Sequence, residues 1–321
     1  MRQVRALVVA MLLVLPLACS VSASGDQRAL SDEEPISDRI VITTGTTAGV
    51  YYAWGLALRD QLREAHPSLD VEVVPSSGSI ENLQRLSDGT ADLAVSAGDA
   101  AERTASENET ESGSVPLRAV ARIYDDYYHL IVPRGSTLRS VDDLAGHRVA
   151  IGDPGSGTAL IARRLLGLAE VGVKEKELGI VDGLQALEKG EVDAVFWSGG
   201  VPTTAVEDAS ERMPLRLLGL GDLARRMRAE FGAVYRPAAI PPGRYGIGEQ
   251  VDTLALANLL VVRADADDEL VTAVTSTIFD HRAAIAERVP AANQTDRRSA
   301  IFTGGLPLHP AAEAYYRKAK L

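Results

Sequence analysis

The sequence is poor in the residues that build disulfide, metal and nucleophile chemistry. Its 321 residues include one cysteine, Cys19. One thiol closes no intrachain disulfide, so the fold must rest on packing. The five histidines, His66, His129, His147, His281 and His309, are scattered, and none has a second metal-type residue at ligand spacing. No metal and no cofactor is therefore expected. No nucleophile elbow and no cysteine–histidine arrangement is present. Basic residues are in deficit too: 33 Lys and Arg against 44 Asp and Glu leave a net charge of −11. That balance cannot neutralise phosphates, so nucleic acid is not an expected partner. After residue 18 no stretch is apolar enough to span a membrane.

What is present begins with a leader. In MRQVRALVVAMLLVLPLA, residues 1–18, Arg2 and Arg5 precede an apolar stretch from Ala6 to Leu15. This has the form of a signal peptide and is too short for an ordinary membrane span. Cys19 follows Leu17-Ala18 directly, as at a bacterial lipoprotein cleavage box, although Pro16 stands where leucine is usual. Two readings follow: a lipoprotein anchored through Cys19, or a secreted periplasmic protein cleaved near Ala18 or Ala23. Residues 19–36 are small, polar and acidic and read as a disordered tether. Without heptads or a second apolar span, a monomer is expected.

The rest of the chain carries one pattern twice. RIVITTG (39–45) reads as a strand, followed by a Gly/Thr loop and a helix over 49–64. A strand ending at Pro75 leads into SSGSIENLQRLSDGTADLAVS, a helix starting near Ser79 and closed by Gly89, then a strand. In the second copy, RVAIG (148–152) leads through DPGSG into a helix from Thr158 to about Ala169. DGLQALEKGEVDAVFWS then repeats a helix closed by glycine, Gly190, before a strand. Glycine ends a helix because it accepts the left-handed backbone. Asp182 and Gln185 have capping-box spacing. Alternating strands and helices imply an α/β fold with parallel sheets, and two units imply two lobes. The polar stretch 102–114 reads as a solvated surface segment.

Ligands of open α/β sheets sit beyond the carboxyl ends of the strands. Both Gly/Thr/Ser loops lie there, each at the start of a helix whose free N–H groups favour an anion. GSGT (155–158) lacks a P-loop lysine. It can hold a carboxylate, or it can be only a tight turn with Ser156 or Thr158 capping the helix. Tyr51 and Tyr52 are helix neighbours that cannot share a face, so one can pack in the core while the other reaches the cleft, and the sequence does not say which. Asn82 sits in a first helical turn, facing either water or a ligand. Trp197 is either a cleft wall or a core residue. His129 and Asp126 lie near the expected hinge without forming a catalytic constellation, so an enzyme is not expected.

TGTTAGVYY, GSIENL, LSDGTADLAVS, LAGHRVAIGDPGSGT, GEVDAVFWSGGVP, IPPGRY and LPLHPAAEAYYRK occur in this order. Together they resemble the TAXI family, the solute-binding proteins of tripartite ATP-independent periplasmic (TRAP) transporters. The resemblance implies a type II periplasmic-binding-protein fold, with two α/β lobes, a hinge and an interlobe ligand. It divides the chain into lobe one, 37–132 plus 253–321, and lobe two, 133–252. It implies a small carboxylate ligand, glutamate-like or a dicarboxylate, and a TRAP-type permease as partner. A sensor input to a membrane kinase is the alternative. By matching motifs it assigns ligand contacts to Thr44, Gly45, Gly49 and Tyr52, to Ser79 and Asn82, to Ser156, Gly157 and Thr158, and to Gly199, Gly200 and Pro202. Three departures stand out: Ala48 for a usual glycine, Ala97-Gly98 for larger polar residues, and Asp125-Asp126 for a usual Pro-Glu pair.

Overall fold

The computed structural model describes residues 39–110 and 113–319. The leader, the tether and Cys19 lie outside the described residues.

Strand β1 (Arg39–Thr43) lies between β2 (Asp70–Val74) and β3 (Leu93–Ala97), and both pairings are parallel. Helix α1 (Val50–Ala65) connects the first two and α2 (Ser79–Ser87) connects β2 to β3. Trp54, Leu58 and Leu62 recur at helical spacing on α1 and are completely buried. The strand alternation assigns faces. Leu93 and Val95 join the core under α1, while Ala94 joins the opposite core with Leu83 and Leu86 of α2.

The second unit repeats this plan. Strand β5 (Arg148–Ala150) runs parallel between β6 (Lys174–Lys176) and β7 (Ala194–Gly199). Helices α4 (Gly157–Ala169) and α5 (Ile180–Glu188) make the connections. Val149, Ala194 and Phe196 face the core that receives Ile161 and Leu165 of α4. Ala150 and Val195 face the other core, with Leu184 and Leu187 of α5. The helices closed by glycine end as their sequences require: Gly89 and Gly190 have φ of +70° and +68°.

Two long antiparallel strands join the units. β4 (Leu117–Pro133) pairs with β10 (Val251–Arg263) along most of its length, and with β7 from Tyr127 to Ile131. β10 also pairs with β3. The main sheet path is β2-β1-β3-β10-β4-β7-β5-β6, with β8 (Leu215–Leu217) on β4 and β9 (Tyr235–Ile240) on β10. Helices α6 (Thr204–Arg212) and α7 (Gly221–Phe231) add to the second unit's cores. Of the C-terminal helices α8 (Asp268–Asp280), α9 (Arg282–Arg288), α10 (Arg297–Ala300) and α11 (Pro310–Lys318), each places at least one buried residue in the core under α1.

Two local readings are corrected. Residues 98–110 form a helix, α3 (Gly98–Thr110), and not only a solvated segment. Ala100, Ala101 and Asn108 are buried in it, a stripe too small and polar to register as apolar periodicity. Asp182 and Gln185 form no capping box. The N-cap of α5 is Gly179, so Asp182 already lies in the first helical turn.

Candidate functional site

β1, β5 and β7 lead at their carboxyl ends toward one cavity, walled also by residues 77–79 at the start of α2. The centres of water-sized groups have about 50 Å³ of free space there.

The first wall is the loop from β1 to α1. Thr44 ties it to β2, its N–H and its hydroxyl both donating to the Val74 carbonyl at 3.1 and 2.9 Å. At Gly45 the fit is tight: a Cβ there would stand 3.3 Å from Tyr51 Cβ. Gly49 caps α1 without any side-chain bond, so the first amides of the helix keep no such partner.

The second wall is the loop from β5 to α4. Gly152 and Gly155 have φ of +103° and +76°, a backbone that L side chains rarely adopt. Ser156 is the N-cap, and its Oγ accepts from Ala159 N at 3.1 Å. The capping reading therefore holds, while the Ser156 hydroxyl proton remains able to donate. Thr158 Oγ1 accepts from Ser198 N at 3.2 Å, tying α4 to the end of β7.

The two walls meet at α2. Ile80 N donates to the Gly155 carbonyl at 3.1 Å, and a Cβ on Gly157 would stand 3.1 Å from Ser79 Oγ. Ser79 Oγ accepts from Ala97 N at 3.0 Å and lies 3.4 Å from the Tyr51 hydroxyl. Helices α1, α2 and α4 thus all begin at this cavity.

β4 supplies the floor. Tyr124 and Asp126 stand two apart on one face of the strand and both line the cavity. Asn258, opposite Tyr124 on β10, accepts from the Tyr51 hydroxyl. The Tyr124 hydroxyl, Asp126 Oδ1 and Asn258 Nδ2 are buried without hydrogen-bond partners. Burial pushes the Asp126 carboxyl up from 3.8 to about 7; the amide of Asn258 opposes this by proximity, and Asp125 adds to it. Burial likewise raises Tyr124 well above the ordinary tyrosine range, with Asp126 as the second cause.

The cavity brings together Gly45, Gly49, Ser79, Ser156, Gly157, Thr158 and Gly199 among the residues expected from the sequence. Thr44, Tyr52, Asn82, Gly200 and Pro202 do not line it. Asn82 is fully buried and acts inside the protein: its amide donates to Val95 O at 2.7 Å and to Thr44 O, and its oxygen accepts from Thr43 Oγ1 at 2.7 Å. These bonds brace the first loop from within. Of the two tyrosines it is Tyr51 that meets the cavity. Gly200 packs near Val50, and its carbonyl accepts from Thr203 Oγ1 at 2.7 Å. Trp197 is both wall and core, lining the cavity and packing beside the α5 cluster. Gly199 must lack a side chain because a Cβ would fall 2.3 Å from the Trp197 indole nitrogen.

Sequence reasoning left Asp126, Tyr124, Gly152 and Asp153 out of the site. A signal for Asp126 existed in the unusual Asp125-Asp126 pair, since adjacent strand residues must point to opposite faces. Among the described residues no group of three or more His, Cys, Asp or Glu is placed to hold a metal ion. No described helix is long and apolar enough to cross a membrane.

Comparison with known proteins fits this architecture. The model of the NMT1-like family matches residues 42–319. A solved protein from Bordetella bronchiseptica RB50 superposes with a TM-score of 0.53 at 19% identity, covering 88% of this chain and 89% of that one. The periplasmic aliphatic sulphonate binding protein of Escherichia coli gives 0.50 at 17% identity, covering 88% and 83%. An ancestral arginine-binding protein bound to arginine gives 0.51 at 14% identity, covering 79% and 99%. These likenesses carry the fold, a type II periplasmic binding protein. With the family model spanning nearly all of the described residues, the chain belongs to the NMT1-like family.

Proposed function

We propose that the protein is a non-enzymatic, extracytoplasmic solute-binding receptor. It captures a small carboxylate, a glutamate-like amino acid or a dicarboxylate, and delivers it to a TRAP-type membrane permease, anchored through a lipid on Cys19. One observation carries the reading: three helices, α1, α2 and α4, start at one cavity, with Ser79, Ser156 and Thr158 among glycines along its wall. Helix starts offer unpaired N–H donors and the positive end of the helix dipole, which suit a carboxylate. Native mass spectrometry of the purified protein tests the proposal through the mass of a co-purified solute. A neutral sugar in that position would refute it.

Ser156→Ala is expected to weaken carboxylate binding roughly ten- to a hundredfold, because a hydrogen bond to a charged group contributes about 1.5–3 kcal/mol. The fold should survive, since the lost cap costs about 1 kcal/mol. Calorimetry beside a thermal melt separates the two roles: unchanged affinity with a lowered melting temperature would leave Ser156 as a cap alone.

The same reading makes the units two lobes, 37–132 plus 253–321 and 133–252, hinged about the long strands. Neither lobe surrounds a solute alone, so binding should close them. Small-angle scattering should show a smaller radius of gyration with saturating ligand, and an identical radius would contradict the clamp.

A further inference from the structure

The side chains of the cavity are charged in one sense only. Asp126 and Asp153 line it, and no lysine, arginine or histidine does. With the Trp197 indole N–H already given to Thr203 Oγ1 at 3.0 Å, the lining donors left for a ligand carboxylate are backbone amides and hydroxyls. A second negative group on the same solute would have no cation to meet and would face two carboxyl side chains.

The two aspartates of the Asp125-Asp126 pair have opposite fates. Asp125 accepts from Arg122 Nη2 at 2.7 and 2.9 Å and also from Arg236. Asp126, on the other face of β4, has no basic partner. It is 3% exposed, and its Oδ1 has no hydrogen-bond partner. Its other oxygen has only the Ser198 hydroxyl, at 3.5 Å. The groups near it include the Tyr124 hydroxyl, also unpartnered, the Tyr51 hydroxyl, which is given to Asn258, and the Asn258 amide, whose nitrogen is unpartnered too. A buried carboxyl with a free oxygen is costly unless a donor meets it. No hydrogen bond to Oδ1 forms among the described residues, although the Asn258 amide lies near enough to favour the charged carboxyl, and Asp126 is one of the residues that line the cavity.

We propose that Asp126 accepts the protonated amine of the solute, and that the cavity therefore selects zwitterionic amino acids over dicarboxylates and hydroxy acids of the same size. This rests on the receptor reading above and narrows it. The solute's carboxylate lies against the α1, α2 and α4 starts, and its ammonium group lies against the β4 floor. A bound cation restores the charged form of Asp126, so the amine and the carboxylate side chain compensate each other's desolvation.

The test uses the mature chain at pH 7.5 and isothermal calorimetry. The probes are the twenty L-amino acids; lactate, malate and 2-hydroxyglutarate; succinate and glutarate; and putrescine as an amine without a carboxylate. An amino acid should bind at least ten- to a hundredfold more tightly than its hydroxy or deaminated counterpart. Asp126→Asn should remove most of that ratio by weakening the amino acid alone, and Asp126→Glu should keep it. Equal or tighter binding of succinate, glutarate or a hydroxy acid by the wild type would overturn the inference while leaving a carboxylate receptor. So would an Asp126→Asn protein that melts cooperatively and retains the full ratio. Loss of the ratio in both Asp126→Asn and Asp126→Glu would assign it to packing and not to charge. Putrescine binding as tightly as the best amino acid would keep the amine contact but remove the carboxylate reading. No binding by any probe would remove both.

Discussion

Asp126→Asn is expected to melt several degrees above the wild type at pH 8 and at nearly the same temperature at pH 4, both without ligand. The sign follows from linkage. The folded-state pKa of Asp126 is raised from 3.8 to about 7. Below the unfolded value the carboxyl is protonated in both states and its burial carries no ionisation cost. As the pH rises toward about 7 the unfolded chain releases its proton while the folded chain still holds it, so unfolding gains. Above that range the folded protein bears the whole difference, on the order of 4 kcal/mol at its upper bound. Asparagine keeps the shape and cannot ionise. Thermal melts of both proteins from pH 4 to 8 check this. A melting difference that does not grow with pH would mean that the Asp126 carboxyl ionises freely in the fold. Together with the lost selectivity expected of the same variant, the result would describe a group that costs stability in the empty receptor and restores it through the solute.

Gly152→Ala should abolish most binding and destabilise the protein together. Gly152 has φ of +103°, and a Cβ there would fall 2.8 Å from Ser156 Oγ and 2.8 Å from Thr158 Cβ. Left-handed backbone costs an L residue roughly 1–2 kcal/mol. Overpacking adds typically about 1–3 kcal/mol. The atoms displaced belong to Ser156 and Thr158, which line the cavity and which we propose meet the solute, so affinity is expected to fall on the order of a hundredfold or more, where a shift of about 1 Å suffices to lose a positioned contact. Gly190→Ala is the control. Its φ is +68°, but nothing lies within 4 Å of the added methyl. It should lower the melting temperature through the backbone alone and leave affinity unchanged. Equal affinity losses in the two variants would remove the steric argument for Gly152.

Local features of the chain were readable because short-range rules govern them. Gly89 and Gly190 stop helices in the left-handed region, and the β-branched run of β1 feeds a glycine loop and then an amphipathic helix. Each depends on residues within a turn or two. Helix α3 escaped notice for a related reason: its inward side is alanine and Asn108, which burial makes core only because α2 and β10 lie against it.

The sequence by itself determined the repeated strand–loop–helix units and the position of both glycine loops at strand ends. Only the tertiary structure decided which side chains face the cavity. Helical geometry separates Tyr51 from Tyr52, and strand geometry separates Asp125 from Asp126, but neither says which side is inward. That choice is made by residues far along the chain: Asn258 on β10 takes the Tyr51 hydroxyl, and Arg236 on β9 helps hold Asp125 on the other face of β4. The polar Asn82 is drawn inside by the Thr44 and Val95 carbonyls, which only the packed sheet places within reach. Side-chain direction is a property of long-range packing, so the site's framework is local in origin while its chemistry is set by the fold.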